Sequence, residues 1–104
     1  RAWLHANCSN CHRPGGGTPV GMDLRYTTSL AATNACEVTP ARALGVANAR
    51  LIAVGGTDPA SRSMIVARAN RSDADSMPPL QPRVVDAAGV ALLTSWVNSL
   101  ASCN

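Results

Sequence analysis

Apolar residues recur at helical spacing near the end of the chain. Val85, Gly89, Leu92, Trp96 and Leu100 follow one another at intervals of three or four positions, and Thr, Ser and Asn residues lie between them. An amphipathic helix buries such a stripe against the rest of a fold. The pattern predicts a helix that starts within residues 84–86 and runs to about residue 100.

Two more helices are predicted upstream. Residues 2–12 carry several apolar side chains and precede Pro14 and three consecutive glycines, which end a helix. Asp58-Pro59 indicates a helix start, because Asp caps the unpaired N–H groups and Pro fits the first turn. That helix is expected to continue to about residue 70.

The remaining segments predict loops and short elements. Pro40 opens a short helix over residues 42–48, and an extended run over residues 50–54 ends at a Gly-Gly turn. Residues 24–36 favour a loose helical turn, and residues 71–82, dense in Asp, Ser and Pro, favour a loop. No repeat or linker divides the chain, so residues 1–104 are interpreted as one domain.

Composition narrows the function classes. The chain has no Phe, one Tyr and two Trp, so a large apolar cofactor would help to fill the core, although an Ala-rich helical bundle is an alternative. The nine basic residues are all Arg and are scattered, which argues against nucleic-acid binding. No apolar run is long enough to span a membrane. The chain opens at Arg1 without a signal peptide, as expected of a mature or excised domain.

The strongest chemical signal is the sequence Cys8-Ser9-Asn10-Cys11-His12, a C-x-x-C-H motif. This spacing attaches c-type haem: two thiols one helical turn apart reach the two vinyl groups, and the following His ligates the iron. Zinc binding would need two more ligands, and the remaining cysteines, Cys36 and Cys103, lie 67 residues apart. A thioredoxin-like site would need a preceding strand, which the sequence lacks.

The second axial ligand of such an iron is predicted to be Met77. It lies 65 residues after His12, in the loop stiffened by Pro78, where its sulfur is not needed to fill the core. His5 lies on the same predicted helix as His12 and therefore on the same side of the haem plane. Met22 is expected in the loop that follows His12 on that side. Met64 falls within a helical pattern, where a Met is usually core filling. His12 and Met77 are therefore the predicted iron ligands.

Further residues are assigned around this site. Met64, Ile65 and Pro78 are expected to pack against the haem. Cys36 and Cys103 remain after haem attachment, and in an oxidising compartment two such cysteines are expected to pair, with separately buried thiols as the alternative. A bridge between them would serve stability rather than redox chemistry.

These motifs together resemble class I c-type cytochrome domains, and the resemblance covers nearly the whole chain. It rests on the C-x-x-C-H motif, on Met77-Pro78-Pro79 and on the helix through Trp96. It implies an all-α, cytochrome c-like fold, with N- and C-terminal helices crossing around one covalently bound haem and with long loops. A narrower pattern resembles cytochrome modules of secreted multidomain bacterial proteins, which often accompany sugar-oxidising or polysaccharide-binding domains. That pattern comprises Ser63, Arg68, Met77-Pro78-Pro79-Leu80, Asp86, Gly89-Val90, Trp96 and Ser99-Leu100.

The expected function is electron transfer by one haem c per chain, cycling between Fe(II) and Fe(III), without substrate turnover of its own. The resemblance implies as partner a periplasmic or secreted oxidoreductase, such as one acting on sugars or polysaccharide, that meets the exposed haem edge. The chain is expected to be a monomer or a module of a larger protein. Because haem attachment is completed outside the bacterial cytoplasm, the expected location is periplasmic or secreted. The alternatives are a haem enzyme or gas sensor with an open iron site, and a zinc- or disulfide-stabilised interaction module.

Overall fold

The computed structural model describes residues 1–18, 21–78 and 84–104. Three α-helices lie within these ranges: α1 (Ala2–Cys8), α2 (Met64–Ala69) and α3 (Ala87–Asn98). Two 3₁₀ turns accompany them, Leu30–Ala32 and Pro59–Arg62. Two isolated parallel bridges, Cys36 with Ile52 and Arg50 with Ser63, link the irregular segments.

The prediction of an all-α, cytochrome c-like fold with crossing terminal helices is wrong. Helix α1 has only 7 residues and α2 only 6, and α3 with 12 residues is the longest helix in the described ranges. At 1.5 Å per residue, α1 spans about 10 Å, too little for a long terminal helix that crosses another. Most described residues lie outside helices, so the fold is irregular chain held around three short helices.

The short helix predicted in the middle of the chain is not formed. Residues 42–48 are not helical, because Leu44 and Asn48 adopt the left-handed backbone conformation (φ 51° and 52°), as does Gly45. The extended run over residues 50–54 is confirmed by its two bridges. The loose turn predicted within residues 24–36 is confirmed as the 3₁₀ turn Leu30–Ala32.

The helix predicted after Asp58 is interrupted at Ser63. Pro59–Arg62 is a 3₁₀ turn, and Ser63 is extended before α2 begins. Its buried hydroxyl donates to the carbonyl of Pro59 at 3.0 Å and accepts the N–H of Ala53 at 2.8 Å. Because this hydroxyl pairs one main-chain group of the 3₁₀ turn and one of the extended run, the break ties the start of α2 to both.

Within the described residues, the core includes two small apolar clusters. The first cluster contains Leu4, Ala69 and Leu93, and the second cluster contains Leu24, Ala35 and Ile52. Three half-buried residues pack against both clusters: Cys8, Ile65 and Trp96. They come from α1, α2 and α3 respectively, so the three helices meet at the boundary between the clusters.

A disulfide joins Cys36 to Cys103, as predicted. It ties the last residues of the chain to the segment that bridges Ile52. A disulfide of this kind is compatible with an oxidising compartment. None of the helices in the described part of the chain is long and apolar enough to cross a membrane.

Candidate cofactor-attachment site

The C-x-x-C-H motif begins at the last residue of α1. The carbonyl of Cys8 accepts the N–H groups of Cys11 at 3.2 Å and of His12 at 2.9 Å, while the Ser9 hydroxyl donates to the carbonyl of His5 at 2.6 Å. The segment after Cys8 is therefore a chain of turns, and the helix predicted over residues 2–12 ends four residues early. The turn still holds both cysteines and His12 together.

The two cysteines of the motif occupy different environments. Cys8 is half-buried and packs against both core clusters, whereas Cys11 is exposed. Neither takes part in the Cys36–Cys103 disulfide. One cysteine therefore packs against the apolar interior, and the other is exposed at the surface.

Two hydrogen bonds hold the main chain of His12, whereas one ring nitrogen has no hydrogen-bond partner among the described residues. Its N–H donates to Cys8, and its carbonyl accepts the N–H of Leu24 at 2.8 Å. The side chain is half-buried, and Nδ1 is buried without a hydrogen-bond partner in the described structure. Burial lowers the pKa of His12, which favours the neutral imidazole that ligates metal ions.

These observations fit covalent haem at the attachment half of the site. Two cysteines outside the disulfide are followed directly by a half-buried imidazole whose pKa is lowered by burial, and these are the residue types that a c-type haem requires. The same observations count against the zinc alternative, because Cys36 and Cys103 are joined to each other and cannot supply zinc ligands. Within the described ranges, no group of three or more His, Cys, Asp or Glu side chains is placed to hold a metal ion.

The placement of Met77 as second axial ligand stays a prediction. Met77 is half-buried, and its N–H donates to the carbonyl of Arg68 at 3.0 Å. It precedes Pro78 through a cis peptide bond. Pro79 and Leu80, which complete the predicted motif, lie outside the described residues.

The predicted pocket residues divide into two kinds. Met64 is 1% exposed within α2, consistent with the core-filling role that its helical position indicated. Ile65 is half-buried and shares both clusters with Cys8. Pro78 is half-buried. The haem contacts expected of Met64, Ile65 and Pro78 all stay predictions.

Sequence reasoning missed Trp96 as a residue of the site. It packs against the same two clusters as Cys8 and Ile65. Its place on the apolar stripe of α3, in a chain with two Trp residues, was the available signal. The exclusion of His5 is supported, because His5 is exposed and its Nδ1 accepts the N–H of Tyr26 at 3.0 Å.

An open cavity of about 430 Å³ lies on another side of α1. Its lining is mostly polar: His5, Ala6, Ser9, Asn10, Arg13 and Arg25. Neither the motif cysteines nor His12 line it.

No family model, curated protein or solved structure matches this chain.

Proposed function

We propose that this chain carries one covalently attached haem c and transfers single electrons. The observation that supports the proposal most directly is the division of the four cysteines. Cys36 and Cys103 form a disulfide, and Cys8 and Cys11 stay outside it, next to a half-buried imidazole whose pKa is lowered by burial.

Attachment needs two thiols in the reduced form. Each thiol adds its sulfur to one carbon of a vinyl group and its hydrogen to the other carbon, so the reaction consumes no oxidant or reductant. Cys8 would form the inner thioether, against the two clusters, and Cys11 the outer one. Their separation by one turn matches the separation of the two vinyl groups.

His12 would ligate the iron with its neutral imidazole, which its two backbone hydrogen bonds hold in place. Met77 would supply a thioether as the second ligand, which raises the reduction potential relative to a second His. When bound, haem c supplies a one-electron Fe(II)/Fe(III) couple. With both axial positions taken by the protein, the domain is proposed to be an electron carrier and not an enzyme.

The proposed setting is periplasmic or secreted. The disulfide suits an oxidising compartment. The exposed Cys11 would bring the attached edge to the surface, where a redox partner can approach through a small transient interface. The proposed partner is a periplasmic or secreted oxidoreductase, such as one acting on sugars or polysaccharide.

The first test is covalent attachment. We expect the chain, matured in a bacterial periplasm with a haem-attachment system, to gain the mass of one haem and to keep the haem stain after denaturation. Cys8→Ser and Cys11→Ser should each prevent attachment through that sulfur. The Cys36→Ser/Cys103→Ser double variant is the matched control and should keep both thioethers. A colourless wild-type protein, matured with haem available, would overturn the proposal.

The second test is ligation. We expect the ferric protein to show the weak charge-transfer band of an iron–methionine bond, and Met77→Ala to abolish it. Met22→Ala and Met64→Ala are the matched controls and should keep the band. A haem protein without the band would instead support the open-site enzyme or sensor.

A further inference from the structure

Arg68 holds the segment before Pro78 at two points. Its carbonyl accepts the N–H of Met77 at 3.0 Å, and its Nη1 donates to the carbonyl of Asp75 at 3.3 Å. Arg42 adds a third contact, because its Nη1 lies 2.8 Å from the Asp75 carboxylate. Hydrogen bonds to Arg68 therefore hold the main chain at Asp75 and again two residues later at Met77.

Arg68 is itself held close to the core. Arg68 lies in the last turn of α2, and the next residue, Ala69, belongs to the first apolar cluster. The segment it holds is folded back on itself, since the N–H of the buried Ser76 donates to the carbonyl of Asp73 at 3.0 Å. Arg68 thus links the main chain at Met77 to the first apolar cluster.

We propose that Arg68 is a positioning residue that holds the Met77 sulfur available to the iron. This inference rests on the proposed function. The carbonyl contact fixes the backbone at Met77, and the guanidinium contact limits rotation of the segment that leads to it. Loss of the guanidinium leaves the carbonyl contact intact, so the segment would loosen while α2 stays folded.

Competition by exogenous imidazole tests this proposal. Imidazole binds ferric haem only where the methionine sulfur leaves the iron, so its affinity reports how firmly Met77 is held. We expect Arg68→Ala to bind imidazole about tenfold more tightly than wild type, the size expected for losing one hydrogen bond from a charged donor. The iron–methionine band should weaken in parallel, while the haem content per chain stays the same.

The controls separate positioning from general damage. Arg62→Ala removes an arginine that also donates to a main-chain carbonyl, that of Val54 at 3.1 Å, and should leave imidazole affinity unchanged. Arg68→Lys keeps the charge and one donor and should lie between wild type and Arg68→Ala, which keeps the test usable if Arg68→Ala does not fold. Wild-type imidazole affinity and band in both Arg68 variants would overturn the proposal. A wild-type chain without covalent haem would instead overturn the proposed function.

Discussion

The indole ring of Trp3 lies against the main chain of Gly89, so that a Cβ atom added at Gly89 would lie 2.5 Å from Cζ2 of the ring. The same Cβ would lie 2.6 Å from a carboxylate oxygen of Asp86. The indole Nε1 also donates to Asp86 at 3.3 Å. Helix α1 thus meets the first turn of α3 at a point where a side chain has no room.

Gly89→Ala is therefore expected to destabilise the protein, although alanine favours a helix. Overpacking of this kind costs about 1–3 kcal/mol, against about 1 kcal/mol that alanine gains in helix propensity. Urea unfolding measures the difference. Ala91→Ser, at an exposed position of α3, is the control and should change stability little. A Gly89→Ala variant more stable than wild type would contradict the close contact.

Asp86 should contribute to stability as the cap of α3. Its Oδ1 accepts the N–H of Gly89 at 2.9 Å, which pairs one of the free donors of the first turn. Asp86→Ala is expected to lower the free energy of unfolding by about 1 kcal/mol, and Asp86→Asn by less, since Asn also caps helices. Asp58→Ala is the matched control, because Asp58 precedes a 3₁₀ turn without a side-chain capping bond. Equal losses at both positions would show that the capping bond is not the cause.

The Cys36–Cys103 disulfide is expected to be a major source of stability. Closing a loop of 67 residues stabilises the folded state by about 4 kcal/mol in the loop-entropy account. The Cys36→Ser/Cys103→Ser double variant should therefore unfold at much lower urea concentration. Ala101→Ser, at an exposed position near the bridge, is the control and should unfold with nearly the wild-type midpoint. Similar midpoints for the double variant and wild type would mean that the bridge constrains little.

Acid stability should depend on Asp23. Arg25 donates to both carboxylate oxygens, and these hydrogen bonds, together with one from Thr28, hold the pKa of Asp23 well below its usual range. A folded-state pKa below the unfolded value of about 3.9 gives stability that is present above that pH and is lost as pH falls further.

The measurement is the pH dependence of urea unfolding for Asp23→Asn. The variant should be less stable than wild type at neutral pH, and the difference should shrink below about pH 4. Asp58→Asn, at an exposed position, is the control. A constant difference between Asp23→Asn and wild type down to pH 2 would contradict the ion-pair explanation.

Local signals in the sequence predicted the ends of some elements well. The start of α3 follows from Asp86 and the apolar stripe, and Pro59 marks the start of a turn that leads into α2. The end of α1 was predicted four residues too late, because the residues after Cys8 form turns whose hydrogen bonds resemble those of a helix. The break at Ser63 depends on a bond to Ala53, ten residues away, which periodicity does not report.

The same difference between local and long-range contacts decides how much of the candidate site the sequence predicts. Cys8, Cys11 and His12 are neighbours in sequence, so local turns suffice to bring them together. Met77 is 65 residues beyond His12, and its distance from that ring depends on how α2 and the following segment pack. The all-helical fold failed for a related reason: resemblance at a few motif positions does not determine the conformation of the long segments between them.

The disulfide also bears on the order in which the protein is assembled. Four cysteines can form two bridges in three ways, and every one of them consumes Cys8 and Cys11. A fully oxidised chain would therefore have no thiol left to add to a vinyl group. In the structure, Cys36 is held by its bridge to Ile52 and is paired with a residue at the end of the chain. Under the proposed function, Cys8 and Cys11 must therefore be reduced when the haem is attached, whereas Cys36 and Cys103 end as a disulfide.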